Sequence, residues 1–170
     1  MMEVLIDMLQ EKDAEELFKF EYDNRACFEE MVPSRGEAYY NFESFKIRHK
    51  ELLEEQDDGM SYFYLIRERY GAIIGRVNLV DIDNAERVAH VGYRIGKKDT
   101  GKGVANRALS LLLAEAPRIG LMQIYAKTTS NNIASQKVLE KNGFKQTSIG
   151  DEVIKMNGLK LRFVHYIWVI

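Results

Sequence analysis

A loop with two glycines, at residues 98–103, has the composition of a phosphate-binding turn. Gly101 and Gly103 carry no side chains, so a ligand can approach the backbone closely. A helix is predicted to begin at Lys102, and the first N–H groups of a helix lack internal partners and carry the positive end of its dipole. Lys98 and Lys102 add positive charge beside them. This combination predicts a site for a phosphate group.

Two familiar nucleotide-binding motifs do not account for this loop. The third glycine and the early acidic residue of the dinucleotide-binding fingerprint are missing, and no Gly-Lys-Ser or Gly-Lys-Thr of a P-loop occurs in the chain. Two glycines alone would also suit an ordinary structural turn. The interpretation therefore depends on the rest of the sequence.

A second motif with polar residues begins at Asn132. This asparagine is suited to capping a predicted helix over residues 132–141, and Gly143 is suited to ending that helix in a left-handed turn. Ser135 falls in the first turn of the helix. Capping alone would explain Asn132, and a place on the helix surface would explain Ser135, so both structural alternatives stand beside a role in a site.

Together, residues 87–144 resemble the GNAT superfamily of N-acetyltransferases. The first motif of that family reads Arg/Gln-x-x-Gly-x-Gly/Ala, and residues 98–103 match both glycines with Lys98 in the first place. The second motif reads Asn-x-x-Ser/Ala, then a short helix, then Gly-Phe, and residues 132–144 match it. Within the superfamily, residues 89–93 and the closing Asn157-Gly158 pair resemble the ribosomal-protein N-terminal acetyltransferase (RimJ/RimL-like) branch.

The resemblance implies acetyl-CoA as the co-substrate. In the family, the glycine loop holds the pyrophosphate of coenzyme A, and the preceding strand pairs through its backbone with the pantetheine arm. Backbone N–H groups near Arg94 and Ile95 would hold the thioester carbonyl. The cofactor-binding residues expected from the match are Val91, Tyr93, Arg94, Ile95, Lys98, Gly101, Lys102, Gly103, Val104, Ala105, Asn132 and Ser135.

The resemblance also implies direct attack of an amine on the thioester in a ternary complex, without an acyl-enzyme. Ser135 is the expected hydrogen-bond donor to the leaving sulfur. His90 stands where many relatives carry Glu, and a neutral histidine can accept a proton near neutral pH. A hydrogen-bonded histidine of the sheet is the alternative for His90.

The ease of deprotonation favours a protein or peptide N-terminus as the acceptor. An α-amine with a pKa of about 7.8 is roughly one-third neutral at pH 7.5, whereas a lysine amine is only about 0.1% neutral. A small-molecule amine (a polyamine, amino acid or aminoglycoside), a catalytically weak acyl-CoA-binding module and a non-enzymatic interaction domain are the alternatives. A deep acidic pocket would favour a small amine. Four carboxylates lie between the first two predicted strands, in the region that shapes the acceptor pocket in the family, and each is suited to holding a cationic amine or to a solvated helix face: Glu29, Glu30, Glu37 and Glu43.

The elements that must position these motifs predict a mixed α/β (α+β) fold in one domain over residues 1–170. Periodicity predicts helices at 11–22, 24–31, 37–55, 102–118 and 132–141, with the fourth ending at Pro117. Strands are predicted at 4–9, 61–68, 72–83, 87–97, 122–128, 143–155 and 160–169, the last two joined by an Asn-Gly turn. The family resemblance implies a central, mostly antiparallel sheet of about seven strands, flanked by helices, in which one strand pair splays apart.

Composition narrows the class of protein. The 170 residues are 46% hydrophobic and 29% charged, as expected for a soluble globular domain. A net charge of −2 speaks against a nucleic-acid partner. No apolar run approaches the roughly 20 residues that span a membrane, and the N-terminus lacks the features of a secretory signal, so a cytoplasmic protein is expected. The single cysteine and three histidines lack ligand spacing, so no metal is expected. A homodimer through the final strands is compatible with the resemblance.

Overall fold

The computed structural model describes residues 2–170 and contains five α-helices and nine β-strands in that range. The helices are α1 (Ala14–Asp23), α2 (Arg25–Met31), α3 (Phe42–Asp57), α4 (Val104–Ile119) and α5 (Ile133–Lys141). The strands are β1 (Val4–Met8), β2 (Tyr62–Glu68), β3 (Ile73–Asp83), β4 (Val88–Ile95), β5 (Gln123–Thr129), β6 (Lys145–Ile149), β7 (Ile154–Met156), β8 (Leu159–Leu161) and β9 (Phe163–Val169).

Seven strands form one sheet in the order β1-β2-β3-β4-β5-β9-β6. Every neighbouring pair is antiparallel except β4 and β5, which are parallel because α4 crosses over between them. This arrangement confirms the predicted mixed α/β fold with a mostly antiparallel sheet of seven strands.

The parallel pair β4 and β5 stays together over only three residues on each strand. The last paired positions are His90 on β4 and Tyr125 on β5. Beyond them β4 continues to Ile95 and β5 to Thr129 without pairing to each other. The two strands therefore splay apart and leave backbone groups unpaired at the centre of the sheet.

Two apolar clusters hold helices against the two faces of the sheet. One contains Leu109 and Leu112 of α4 with Ile124 of β5, all fully buried. The other contains Leu17 of α1 and Phe45 of α3, packed with residues of β2. Burial of such side chains supplies the main favourable free energy of folding, and here it fixes both helical layers against the splayed strands.

Two helix boundaries differ from the sequence-based prediction. The segment predicted as one helix over 37–55 is a 3₁₀ turn (Glu37–Tyr40) followed by α3, because Asn41 adopts an extended conformation and its side chain accepts a hydrogen bond from the Ser44 N–H at 3.2 Å. Pro117 does not end α4. The helix continues to Ile119 and ends at Gly120, whose φ of 90° permits a left-handed cap.

The end of the chain differs from the predicted long hairpin. β6 pairs with β9 in the main sheet, whereas β7 and β8 form a separate hairpin whose turn, Asn157-Gly158, has positive φ at both residues. The Asn157 amide donates to the Glu30 carbonyl at 2.9 Å at the end of α2. The hairpin therefore leaves the sheet and reaches across to α2.

Candidate active site

Two cavities meet at the splayed strands. The loop cavity, of about 440 Å³, lies beside the glycine loop and the start of α4. The sheet cavity, of about 360 Å³, lies over β3, β4 and β5 and beneath the β7–β8 hairpin. Six residues line both: Met31, Val32, Tyr93, Arg94, Asn132 and Ser135. A reaction between a molecule in each cavity would take place at these shared residues.

The glycine loop opens the loop cavity towards the start of α4. Gly101 and Gly103 have φ angles of 74° and 78°, which side-chain-bearing residues rarely adopt, and open space lies where a Cβ would point. The N-cap residue of the 16-residue helix α4 is Gly103, which has no side chain with which to cap the helix. The N–H groups of its first residues, among them Val104 and Ala105, therefore suit a phosphate.

The two predicted lysines of the loop lie outside this lining. Lys98 is exposed in a short 3₁₀ turn, and the Lys102 ammonium contacts the Asp99 carboxylate at 3.4 Å. Neither side chain lines the loop cavity, whereas Asp99 does. Backbone groups, rather than lysine side chains, form the wall of the cavity here.

The unpaired edge of β4 presents alternate residues to the gap. The Gly96 N–H donates to the Ile74 carbonyl of β3 at 2.8 Å, and Arg94 is opposite Arg76. Strand alternation then directs the Arg94 N–H to β3 as well, in contrast to its expected role on the thioester carbonyl. The residues whose backbone groups face the gap are Val91, Tyr93 and Ile95.

Ser135 and Tyr93 form a hydrogen-bonded pair where the cavities meet. The two hydroxyl oxygens are 2.9 Å apart, and the Tyr93 hydroxyl also lies 3.3 Å from the Ser135 carbonyl oxygen. Burial raises the pKa of Tyr93, more than the hydrogen bond with Ser135 lowers it, so the phenol stays protonated. Asn132 caps α5 by accepting the Ser135 N–H at 3.2 Å, which fixes this serine on the first turn.

His90 lies apart from this pair. Its side chain is exposed, and its ring is 5.4 Å from the ring of Tyr125 on the neighbouring strand. It shares a strand face with Gly92 and Arg94, as alternation predicts, yet it lines neither cavity. The structure does not bring His90 into contact with Ser135.

A buried carboxylate that the sequence analysis did not single out organises the floor of the sheet cavity. Glu21 of α1 has no exposed surface, and its oxygens lie 2.7 Å from Arg76 and 3.2 Å from Arg94. Burial alone would raise the pKa of Glu21, but the charges of the two arginines outweigh burial and hold it below its usual range. In the sequence, Glu21 follows Leu17 by four residues and so falls on the apolar side of the helix. A carboxylate in that position is the sequence feature that could have pointed to a buried ion pair.

The sheet cavity is lined by cationic side chains. Arg35, Arg76, Arg94 and Lys127 contribute to its wall, and no Asp or Glu among residues 2–170 does so. The predicted acidic candidates lie elsewhere. Glu29 and Glu37 pair with Arg25, Glu43 pairs with Lys46, and Glu30 lines the loop cavity.

The family to which the chain belongs follows from sequence comparison. The profile described as "Acetyltransferase (GNAT) domain" matches residues 3–145. The chain is a member of the GNAT acetyltransferase family. The probable N-acetyltransferase YjcK of Bacillus subtilis (strain 168) is 31% identical over 159 residues, which cover 92% of this chain and 88% of YjcK. The predicted enzyme class, an acetyltransferase, is thereby confirmed.

Solved structures confirm the fold and its similarity to the predicted branch. A ribosomal-protein-S5-alanine acetyltransferase from Vibrio fischeri has a TM-score of 0.90 at 22% identity, covering 98% of this chain and 92% of that chain. The RimL ribosomal L7/L12 α-N-protein acetyltransferase in complex with coenzyme A has a TM-score of 0.89 at 18% identity, covering 98% and 94%.

Two further findings concern metals and membranes. Among residues 2–170, no group of three or more His, Cys, Asp or Glu side chains is placed to hold a metal ion. Within the same residues, the helices are too short or too polar for any of them to cross a bilayer.

Proposed function

We propose that the protein transfers the acetyl group of acetyl-CoA to the α-amine of a protein or peptide N-terminus. The observation that carries the proposal is the meeting of the loop cavity and the sheet cavity at Ser135 and Tyr93. One cavity offers a helix N-terminus and free strand edge, and the other is open to an acceptor. Two substrates bound at once, one in each cavity, would meet there without an acyl-enzyme. The proposal treats residues 1–170 as one catalytic domain.

The loop cavity fits coenzyme A in two ways. The glycine loop and the first turn of α4 suit the pyrophosphate, because their N–H groups have no internal partner. The free edge of β4 suits the amides of pantetheine, because Val91, Tyr93 and Ile95 direct their backbone groups into the gap. When bound, acetyl-CoA supplies the activated acetyl group and a thiol leaving group.

The residues at the meeting point have defined tasks in direct transfer. The amine nitrogen forms a bond to the acetyl carbon as the carbon–sulfur bond breaks. The Ser135 hydroxyl donates a hydrogen bond to the departing sulfur, and the Tyr93 hydroxyl donates to the Ser135 oxygen. The N–H of Ile95 faces the gap and is suited to stabilising negative charge on the acetyl oxygen.

We assign the removal of the amine proton to His90. Because the His90 side chain lies outside both cavities, it would accept this proton through a water molecule. If His90 accepts this proton, His90→Gln should lower kcat/KM at pH 7, and the deficit should shrink at pH 9, where the acceptor amine is already neutral. An equal rate for His90→Gln and the parent at pH 7 would remove His90 from the reaction.

Relatives support an N-terminal acceptor. The [Ribosomal protein uS5]-alanine N-acetyltransferase of Escherichia coli (strain K12) is 23% identical over 158 residues, covering 91% of this chain and 81% of that protein. By analogy, we place an alanine α-amine in the sheet cavity and the enzyme in the cytoplasm, where such N-termini are made. A homodimer through the final strands remains part of the proposal.

The test is release of free CoA with a panel of N-terminal peptides, polyamines, amino acids and aminoglycosides. We expect turnover with the peptides, and mass spectrometry should locate the acetyl group on the α-amine. Turnover with only small amines would overturn the proposed acceptor. Acetyl-CoA binding without turnover on any amine would instead indicate an acyl-CoA-binding module.

A further inference from the structure

The cationic wall of the sheet cavity bears on which amine can enter it. We propose that the cavity selects acceptors that carry a carboxylate close to the primary amine, and specifically N-terminal peptides with Asp or Glu at the second or third position. This inference rests on the proposed function, because it assigns the sheet cavity to the acceptor. It also implies that polyamines and peptides with early lysines are poor acceptors.

The charges of the sheet cavity do not balance. Four cationic side chains line it, and the one carboxylate within residues 2–170 that pairs with any of them, Glu21, is fully buried behind the wall. Glu21 accepts from Arg76 and Arg94 together, so this deep group of three charged residues keeps an excess of one positive charge. Arg35 and Lys127 add their charges nearer the solvent.

Arg35 and Lys127 are available to a ligand. Both side chains are exposed, and neither forms an ion pair with any residue within 2–170. Arg35 lies 4.9 Å from the ring centre of Tyr39, and Lys127 lies 4.6 Å from that of Phe163. The aromatic rings hold the two cations at the cavity without neutralising them. A carboxylate between or beside them would form charge-assisted hydrogen bonds.

A polar acceptor on the floor completes the pattern for an amine that carries an acid. The Asn78 side-chain oxygen is buried, has no hydrogen-bond partner, and belongs to a residue that lines the sheet cavity. An amine N–H is a donor that fits it. Because unpaired buried oxygens are costly, a ligand that donates there gains binding free energy. The cavity thus offers an acceptor for the amine and cations for a carboxylate.

The cationic wall also explains how an amine would be kept reactive. Nearby positive charges disfavour an ammonium group and favour the neutral amine that attacks the thioester. An acceptor with additional ammonium groups, such as a polyamine, would meet the same repulsion without relief. A carboxylate on the acceptor, by pairing with Arg35 and Lys127, offsets the repulsion between the acceptor and the cationic wall.

The experiment compares kcat/KM for three tetrapeptide amides that begin Ala-Asp, Ala-Asn and Ala-Lys. We expect the Asp peptide to exceed the Lys peptide by about tenfold at low salt, and the ratio to shrink as salt screens the charges. Arg35→Glu combined with Lys127→Glu should reverse the order. Arg76 and Arg94 are left unchanged because their loss would disturb the buried group around Glu21.

The matched control is Arg69→Glu. Arg69 is also an exposed arginine over a tyrosine ring, 5.7 Å from the ring centre of Tyr70, but it lies outside the sheet cavity. This variant should keep the preference of the parent. Equal kcat/KM for the Asp and Lys peptides in the parent, or a preference that Arg35→Glu and Lys127→Glu leave unchanged, would overturn the inference.

Two further readouts separate this inference from the proposed function. Free aspartate also carries a carboxylate close to its amine but is not a peptide. A higher kcat/KM for free aspartate than for the Asp peptide would overturn the peptide assignment. If no acceptor is acetylated, calorimetry of the three peptides with the CoA-bound protein still tests selection. Tighter binding of the Asp peptide, lost in the double variant, would support the cationic site even if the proposed reaction fails, and equal binding would overturn it.

Discussion

Replacing Ser135 with alanine should slow acetyl transfer while acetyl-CoA still binds. The hydroxyl of Ser135 lies where the two cavities meet, 2.9 Å from the side-chain hydroxyl of Tyr93. A hydrogen bond to a group that gains charge contributes about 1.5–3 kcal/mol. Its loss in the transition state corresponds to a fall in kcat of about 10- to 150-fold.

Tyr93→Phe removes the group that orients Ser135 and should have a smaller effect. The hydrogen bond between the two hydroxyls is neutral and contributes about 0.5–1.5 kcal/mol, so kcat should fall by about 2- to 12-fold. Since Tyr93 acts through Ser135, the same change made in the Ser135→Ala protein should have almost no further effect on kcat. Such non-additivity is the signature of a coupled pair.

The assay measures initial rates of CoA release for the parent, both single variants and the double variant, together with acetyl-CoA affinity. Tyr125→Phe is the matched control, because the Tyr125 hydroxyl donates to Gln123 at 3.1 Å on β5 and lines neither cavity. The role assigned to Ser135 and Tyr93 in acetyl transfer is wrong if Ser135→Ala leaves kcat unchanged. It is also wrong if Tyr93→Phe lowers kcat by the same factor in the parent and in the Ser135→Ala protein.

Three other perturbations test separate parts of the structure. Gly103→Ala should raise the KM for acetyl-CoA by about tenfold and lower the free energy of unfolding by about 1 kcal/mol, because Gly103 adopts a left-handed conformation where the phosphate turn meets α4. Gly120→Ala is the control, since Gly120 has a φ of 90° at the other end of α4, and it should show only the loss of stability in thermal unfolding. An equal KM for both variants would contradict the phosphate site. Glu21→Gln should lower the free energy of unfolding at neutral pH by about 3–5 kcal/mol, measured by denaturant titration, because the buried Arg76 and the half-buried Arg94 lose their charged partner. Because the pKa of Glu21 in the folded protein lies below its ordinary value of 4.5, the stability that Glu21 contributes is present above pH 4.5 and declines as the pH falls below it. Glu21→Gln should therefore weaken the dependence of the unfolding free energy on pH in this acidic range. An unchanged dependence would count against the pairing of Glu21 with the arginines. Asn41→Ala should lower stability by about 1 kcal/mol in the same titration through loss of the α3 cap, with no change in kcat.

The sequence predicted the sheet and the cofactor-binding segment because their signals are local. Alternation and tight turns define β2 to β4, and two glycines with positive φ mark the loop before α4. The motif at Asn132 likewise has a local basis, since this residue caps α5 within its own turn. Such features depend on neighbours in the chain, which the sequence displays directly.

The features that the sequence did not predict depend on contacts between distant residues. Glu21 pairs with arginines on β3 and β4, so its helix alone shows only a carboxylate on an apolar face. The β7–β8 hairpin leaves the sheet because β6 already pairs with β9 and the Asn157 amide reaches the end of α2. For the same reason, the distance of His90 from the cavities and the cationic wall around Arg35 emerge only once the sheet is assembled.

Initial-rate kinetics with acetyl-CoA and an Ala-Asp peptide varied together would test the central claim most directly. Direct transfer between two cavities that meet at Ser135 requires both substrates to be bound at once, so reciprocal plots should intersect and acetyl should appear on the peptide α-amine. Parallel plots, which indicate that an acetylated enzyme forms and CoA is released before the peptide binds, would contradict direct transfer.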